Sequence, residues 1–341
     1  MARLMYQIVN HIVATDPGSN WVKENRIAVD APPDSDTSPS PEAHWPQQAS
    51  RSGLCGVVSP NTVCVANGYR MYYTQILPRP GFPAGANDYD NATARILSAF
   101  SRDGSAFVPE PGTRLTCHDG GAGDFRVVSP EVVTIPDGSG RMRMYFECCA
   151  GTQANGSSIR SAVSDDGLSW DMEPGERLSG SSYNSPRVLT LHDGTCRLYC
   201  QCHSGGIISA LSDDGGLTFV PEPGKRITQE LPYEATAAFA PEVLYIESSQ
   251  SYRMFYAGYS DPTRAYILTA TSDDGLTWQK GAEPIIAPGG TFDQAKCSEM
   301  CVIQLPTTDN AAPKYRLFYE ACDGTSVGNR GVWRILSATT R

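Results

Sequence analysis

The chain has 341 residues, a formal net charge of −10 at pH 7 and a charged fraction of 19%. This acidic balance argues against a nucleic-acid partner, because phosphate binding needs clustered basic residues, and no apolar run is long enough to span a membrane. The 11 cysteines lack C-x-x-C spacing, and the N-terminus is a poor secretion signal. We therefore predict a cytoplasmic protein with reduced thiols and no metal site.

The first predicted element covers residues 1–30. Gly18 and Trp21 match Gly275 and Trp278 of a phrase that recurs further along the chain. This match predicts an outer strand that closes the fold onto its C-terminal end. The preceding stretch, RLMYQIVNHIVA, also looks like a strand, but it duplicates strands that the C-terminus already supplies and has no place in this scheme.

Residues 31–53 are rich in proline and serine and predict a linker. From residue 54 to the C-terminus, phrases recur in a fixed order, which is typical of repeat architectures. Each unit opens on a strand-like run: VVSPNTVCV, VVSPEVVTI, YNSPRVLTL, AFAPEVLYI and KCSEMCVIQL. A second run follows in each unit: YRMYYTQ, MRMYFEC, CRLYCQC, YRMFYAG and YRLFYEA. A third run leads into an S-x-D-G turn, which begins at Ser101, Ser164, Ser212 and Ser272.

These runs are rich in β-branched and aromatic residues and are separated by turn residues, so we predict four antiparallel strands per unit. One four-stranded sheet cannot bury both of its faces, whereas radial packing against copies of itself buries both. The sequence therefore predicts one all-β domain over 1–341, a five-bladed β-propeller whose ring is closed by the N-terminal segment. In the S-x-D-G turns, Asp and Ser should bond the backbone, and the aromatic residue that follows should pack between blades.

The S-x-D-G-x-x-W pattern, after an R-M-Y-Y strand and before an E-P-G turn, resembles the five-bladed glycoside hydrolase clan of arabinanases, invertases, levansucrases and mannoside phosphorylases. The segment 212–219 is also similar to the Asp-box of sialidases. The resemblance covers about 55–341 and implies an axial pocket with aspartates placed before proline on the innermost strands. In this chain those positions hold Ser59, Ser129, Ser185 and Ala240. The usual acids are therefore missing.

Ligands of propellers bind where the innermost strands converge on the axis. Two carboxylates across such a pocket can serve as acid and base, and we predict Glu131, Glu234 and Glu242 as the catalytic candidates. Glu234 breaks the repeat in the loop before an innermost strand. Glu131 and Glu242 occupy the same repeat position, so they could equally hold neighbouring blades together.

The polar residues around the unit openings are the predicted substrate-binding set: Asn61, His118, Asp124, Arg126, Tyr183, Asn184, Arg187, His203, Tyr233 and Glu299. Residues at the ends of the second strands could line the same mouth: Glu147, Gln201 and Glu320. No dinucleotide or phosphate-loop motif occurs, and we predict no cofactor.

The predicted function is that of a glycoside hydrolase-like enzyme acting on a small carbohydrate or glycoside, with neither a nucleic acid nor a membrane as partner. Two alternatives stay open. One is a repurposed enzyme that catalyses a non-hydrolytic reaction, such as a cyclisation in secondary metabolism. The other is a sugar-binding lectin without catalysis, which would carry several equivalent shallow sites between blades.

Overall fold

A computed structural model describes residues 11–30, 56–78, 92–116, 119, 126–135, 137–149, 157–179, 182–202, 204–306, 313–325 and 331–341. Over these residues the chain is built of β-strands and one short 3-10 helix at Pro232–Glu234. No helix in the described ranges is long and apolar enough to cross a membrane. Residues 1–10 and the predicted linker at 31–53 lie outside the described residues.

The strands form an N-terminal pair and five four-stranded units. The N-terminal strands are β1 (Ile12–Val13) and β2 (Trp21–Val29). The first blade contains β3 (Gly56–Val65), β4 (Gly68–Pro78), β5 (Ala92–Ser101) and β6 (Val108–Pro109). The second contains β7 (Arg126–Thr134), β8 (Met142–Cys149), β9 (Ser157–Ser164) and β10 (Asp171–Met172). The third contains β11 (Tyr183–Thr190), β12 (Cys196–Cys202), β13 (Ile207–Ser212) and β14 (Val220–Pro221).

The fourth blade contains β15 (Ala237–Ile246), β16 (Ser251–Asp261), β17 (Arg264–Ser272) and β18 (Gln279–Lys280). The fifth contains β19 (Lys296–Leu305), β20 (Lys314–Cys322) and β21 (Trp333–Thr340). Its outer strand is β2, which pairs antiparallel with β21 from Trp21↔Thr340 to Val29↔Ile335. The N-terminal segment therefore completes the last blade, as the Gly18 and Trp21 match predicts.

The first strand of each blade faces the axis, and these strands contact one another in a closed ring: β3, β7, β11, β15, β19 and again β3. A parallel bridge between Trp333 and Gly56 joins the fifth blade to the first. Arg316 of the fifth blade ion-pairs with Glu24 of β2 at 2.9 Å and donates to the Gly104 carbonyl of the first blade at 2.7 Å. These contacts confirm the predicted five-bladed propeller and its closure by the N-terminal segment.

One aromatic contact recurs at all five blade interfaces. A ring on the second strand of each blade meets, edge to face, the aromatic residue after the S-x-D-G turn of the next blade, with centroids 5.3 to 6.1 Å apart. The pairs are Tyr72–Trp170, Tyr145–Phe219, Tyr199–Trp278, Phe255–Trp21 and Phe318–Phe107. Such pairs add about 0.5–1.5 kcal/mol each beyond their buried area.

The S-x-D-G turns are built by their own side chains. In the second blade, Asp166 Oδ1 accepts the amides of Leu168 and Ser169 at 2.7 and 2.8 Å and the Ser164 hydroxyl at 3.1 Å. The backbone hydrogen bonds lower the pKa of Asp166 to about 2. Tyr72 of the preceding blade donates to the Gly167 carbonyl at 2.9 Å. This aspartate therefore shapes a turn on which the neighbouring blade packs.

Trp21→Ala should lower the free energy of unfolding by about 3 kcal/mol, because it removes a buried indole from the interface that closes the ring. Urea unfolding followed by circular dichroism measures the change. Val108→Ala, at an exposed position of β6, is the control and should change stability by less than about 0.5 kcal/mol. Equal stability of the two variants would contradict the closing role of β2.

Candidate functional site

Each first strand carries a β-bulge beside the axis. At four bulges the residue before proline has a positive φ, between 49° and 55°: Ser59, Ser129, Ser185 and Ala240. A residue other than glycine in this region costs about 1–3 kcal/mol and persists only where the surrounding packing imposes it. The hydroxyls of Ser59 and Ser129 lie 3.3 Å apart, and those of Ser129 and Ser185 lie 3.5 Å apart. We call these three residues the serine ring.

Glu299 lies at the serine ring. It occupies the position that proline holds in the other four openings. Its Oε2 accepts the Ser59 hydroxyl at 2.7 Å and the Ser129 hydroxyl at 3.3 Å, and its side chain is fully buried. The fifth blade therefore supplies a carboxylate at the level where the first three blades supply serines.

Below the ring, toward the ends of the first strands, buried charges meet on the axis. Arg187 Nε lies 3.2 Å from Glu242 Oε2 and 3.7 Å from Glu131 Oε2, and Arg187 Nη2 lies 3.6 Å from Glu299 Oε1. His11 Nε2 contacts Glu131 Oε1 at 2.5 Å, and His11 Nδ1 lies 3.7 Å from Glu242 Oε1. We call these five residues the axial charge cluster. His11 is not among the site residues predicted from the sequence, because no part of the repeat places it at the centre.

The glutamates of this cluster also join neighbouring blades. Glu131 of the second blade accepts the Val188 amide of the third at 3.2 Å, and Glu242 of the fourth accepts the Val302 amide of the fifth at 2.9 Å. Asn61 accepts the Val132 amide at 3.0 Å in the same way. These bonds explain why polar residues recur at this repeat position. A catalytic role for Glu131 and Glu242 stays a prediction.

Above the ring, toward the starts of the first strands, one position of the second strand faces the bulge in every blade. It holds Thr74, Glu147, Gln201, Ala257 and Glu320 in chain order. Thr74 accepts the Ser129 amide of the next blade at 3.0 Å, and Glu320 accepts the Ser59 amide at 3.1 Å. A threonine hydroxyl can therefore make the inter-blade bond. In the second and fifth blades, glutamates (Glu147 and Glu320) occupy the position at which the first blade has Thr74.

Both carboxylates are fully buried and lie on non-adjacent blades, the second and the fifth. Glu147 accepts hydrogen bonds from the Asn184 amide at 3.0 Å, the Cys149 thiol at 3.2 Å, the Ser157 hydroxyl at 3.3 Å and the Ser185 backbone amide at 3.4 Å. Glu320 accepts the Ser298 hydroxyl at 2.6 Å. Glu147, Glu299 and Glu320 thus each accept a hydrogen bond from a residue of the serine ring.

The uppermost level of the axis carries cations and aromatic rings. Arg126 and Lys296 begin β7 and β19 and are both buried. Lys296 Nζ lies 5.8 Å from the ring centroid of Tyr259 and 5.5 Å from that of Trp333. Tyr183 begins β11 at the same end of the ring. Of the predicted substrate-binding residues, Arg126, Tyr183 and Asn184 thus lie above the serine ring, while Asn61 and Arg187 lie below it.

Glu234 and Tyr233 belong to the 3-10 helix before β15. Glu234 is buried, accepts the amides of Glu230 and Leu231 at 2.9 and 3.0 Å, and contacts Lys280 of the outer strand β18 at 2.5 Å. Tyr233 donates to Glu283 at 2.7 Å. These contacts do not bring Glu234 to the other carboxylates, and its catalytic role stays a prediction.

Three further predicted binding residues, His118, Asp124 and His203, lie outside the described residues. No cluster of three or more His, Cys, Asp or Glu side chains that could hold a metal ion occurs among the residues that the structure covers.

Several solved structures share this fold. A protein described as a glycoside hydrolase superimposes with a TM-score of 0.64 at 16% identity over 92% of both chains. A thermostable family-43 glycoside hydrolase gives 0.64 at 16% identity over 84% of this chain and 90% of that one. An N-acetylgalactosamine deacetylase from F. plautii, in complex with blood group B trisaccharide, gives 0.62 at 16% identity, covering 94% of this chain and 95% of that one.

No protein-family description matches the sequence, and no curated protein matches it. The structural likeness therefore shows the fold: the chain is a five-bladed β-propeller similar to those of these solved glycoside hydrolases. It confirms the predicted resemblance to the arabinanase and invertase clan at the level of the fold. At identities this low it does not carry over a reaction.

Arg187→Met should lower the free energy of unfolding by about 3–5 kcal/mol, because three buried carboxylates would lose their shared cation. Arg141→Met removes an arginine from an exposed pair with Asp165 and should cost no more than about 1 kcal/mol. Chemical denaturation of the two variants beside the wild type measures both effects. A loss for Arg187→Met no greater than that for Arg141→Met would contradict the charge-balancing role of Arg187.

Proposed function

We propose that this protein binds a small glycoside above the serine ring and hydrolyses it with Glu147 and Glu320 as the two working carboxylates. The observation that carries the proposal is their position. The same site in the repeat holds Thr, Gln or Ala in the other three blades. Thr74 shows that the inter-blade bond does not need a charge. Glycoside hydrolysis uses a pair of carboxylates that flank the scissile bond.

The roles follow from the surroundings of each carboxylate. An ionised carboxylate only accepts hydrogen bonds, and Glu147 receives four donors, which suits a base or nucleophile. We assign the acid role to Glu320, which accepts two hydrogen bonds, so that it protonates the leaving oxygen. Lys296 and Arg126, at the upper level, would bind the sugar hydroxyls. The serine hydroxyls and Glu299 would form the floor below the reacting bond.

Sugar binding without turnover is the second candidate. The residues before proline at the bulges favour this candidate. They are serine or alanine, whereas the resemblance implies aspartates at these positions. The two candidates share the binding site and differ only in whether the carboxylates act on a bond. A fold shared with a deacetylase solved with a trisaccharide supports a carbohydrate ligand for either one.

Glu147→Gln and Glu320→Gln should each lower the turnover of a cleavable glycoside by about 10²–10⁴-fold while sugar binding persists, because an amide keeps the shape but cannot transfer the proton. A panel of aryl glycosides, screened by release of the aryl group, identifies the substrate. Calorimetry with the sugar product measures binding in each variant.

Glu222→Gln is the matched control. Glu222 pairs with Arg197 at 3.0 Å on the outer part of the third blade, so its loss should leave turnover unchanged. Glu234→Gln and Glu131→Gln, run in parallel, test the original catalytic candidates. Full activity of the Glu147 and Glu320 variants would refute the assignment. Binding of sugars with no turnover of any glycoside would favour the second candidate.

A further inference from the structure

The N-terminal segment reaches the lower end of the axis, and we propose that residues 11–15 form a pH-sensitive latch that opens when His11 loses its proton. The proposal does not depend on the glycosidase assignment. It rests on the contacts of the segment, on the cavity beside it and on the charges that His11 faces.

Backbone hydrogen bonds tie the latch to the fourth blade. β1 pairs in parallel with the end of β15 through Ile12↔Tyr245 and Val13↔Ile246. The backbone carbonyls of His11 and Val13 accept the amides of Tyr245 and Glu247 at 2.7 and 2.9 Å. A strand of two residues at a sheet edge contributes little stability of its own. Among residues 11–15, His11 has the only titratable side chain, so its ion pairs are the contacts of the segment that can change with pH.

Tyr315 and Gln304 of the fifth blade hold the other end of the segment. The Tyr315 hydroxyl contacts the Thr15 hydroxyl and accepts the Thr15 amide at 3.1 Å, and Gln304 Oε1 accepts the Ala14 amide at 3.1 Å. The latch thus bridges the fourth and fifth blades before the chain continues into β2. Its release would leave the pairing of β2 with β21 intact.

His11 faces charged or titratable groups from several strands. They are Glu131 on β7, Arg187 on β11, Glu242 on β15, and the thiols Cys64 on β3 and Cys301 on β19. With His11 protonated, Arg187 and His11 balance two of the three cluster carboxylates. With His11 neutral, Arg187 is the only cation beside the three acidic side chains, and burial raises the pKa of Glu242. Docking of residues 11–15 against the axial charge cluster is therefore most favourable when His11 is protonated.

The neighbouring carboxylates change the pKa of His11. Burial alone would lower it, but the charges of Glu131 and Glu242 raise the pKa of His11 above its usual value. Because the pKa of His11 is higher in the closed state than in the open state, protonation of His11 stabilises the closed state. This stabilisation is complete below the open-state pKa of about 6.5. This stabilisation is lost as the pH rises through the closed-state pKa. Opening should therefore increase with pH.

Cys301 provides a reporter of opening. It is buried and lines, together with His11, Ile12 and Val13, a cavity of about 80 Å³. Burial raises the pKa of Cys301 to about 12, so its thiol should react slowly while the latch is closed. Cys200, fully buried in the third blade, should react only on global unfolding.

The experiment is peptide-resolved labelling of thiols with iodoacetamide on the full chain from about pH 6 to about pH 8.5, with rates divided by those of the unfolded chain at each pH. Normalised labelling of Cys301 should increase at least ~10-fold over this range, while Cys200 stays protected. In His11→Gln, Cys301 should label rapidly and without this pH dependence, because glutamine reaches Glu131 but carries no charge.

A pH-independent normalised rate at Cys301 in the wild type would overturn the proposal, and so would parallel labelling of Cys301 and Cys200. If His11→Gln does not fold, amide hydrogen exchange on the wild-type protein tests the latch instead. The protection factors of the Tyr245 and Glu247 amides should then fall by the same ~10-fold as the pH rises. Unchanged protection of these amides would reject the latch.

Discussion

The centre of this ring is governed by one constraint, the neutralisation of three carboxylates buried on a common axis. Taking an ion out of water costs several kcal/mol even after relaxation. Glu131, Glu242 and Glu299 are tolerated because Arg187 lies between them and because His11 contacts Glu131 from below. Blades contributed by distant parts of the chain must therefore close together for any of these charges to be satisfied.

Contacts at the periphery of the propeller repeat from blade to blade, whereas contacts at the axis do not. At the periphery, the same aromatic pair recurs at every interface, and arginines of the second strands bond the turns of the following blade, as Arg70 bonds the Asp166 carbonyl at 2.9 Å. Such uniform contacts set the stability of a repeat protein. At the axis, equivalent positions carry different side chains, and this departure from the repeat is where a specific site can arise.

The serine ring divides the axis into two regions with different character. Below it, the carboxylates are paired with Arg187 and His11 and bond the backbone of the next blade. Above it, Glu147 and Glu320 stand among hydroxyl, amide and thiol donors, with Lys296 and Arg126 at the next level. The charged residues below the ring join neighbouring blades, and those above it are the residues to which the proposed function assigns chemistry.

The sequence was sufficient to predict the periphery, since repeated phrases specify both the strands and the contacts between copies. It also identified β2, because Gly18 and Trp21 reproduce a turn in which each indole donates to a glycine carbonyl at 3.2 Å, as in Trp278 with Gly275. The axis was harder to predict. Each bulge shifts the register of one strand, and His11 comes from a segment outside the repeat, so neither follows from periodicity.

Glu234 departs from the repeat, lies in the 3-10 helix and contacts Lys280. Its catalytic role stays a prediction. The central claim is that the ligand site lies above the serine ring. A crystal structure with a bound sugar from the glycoside panel tests it most directly. The account predicts sugar density between Glu147 and Glu320. Density confined to grooves between outer strands, or beside His11, would contradict it.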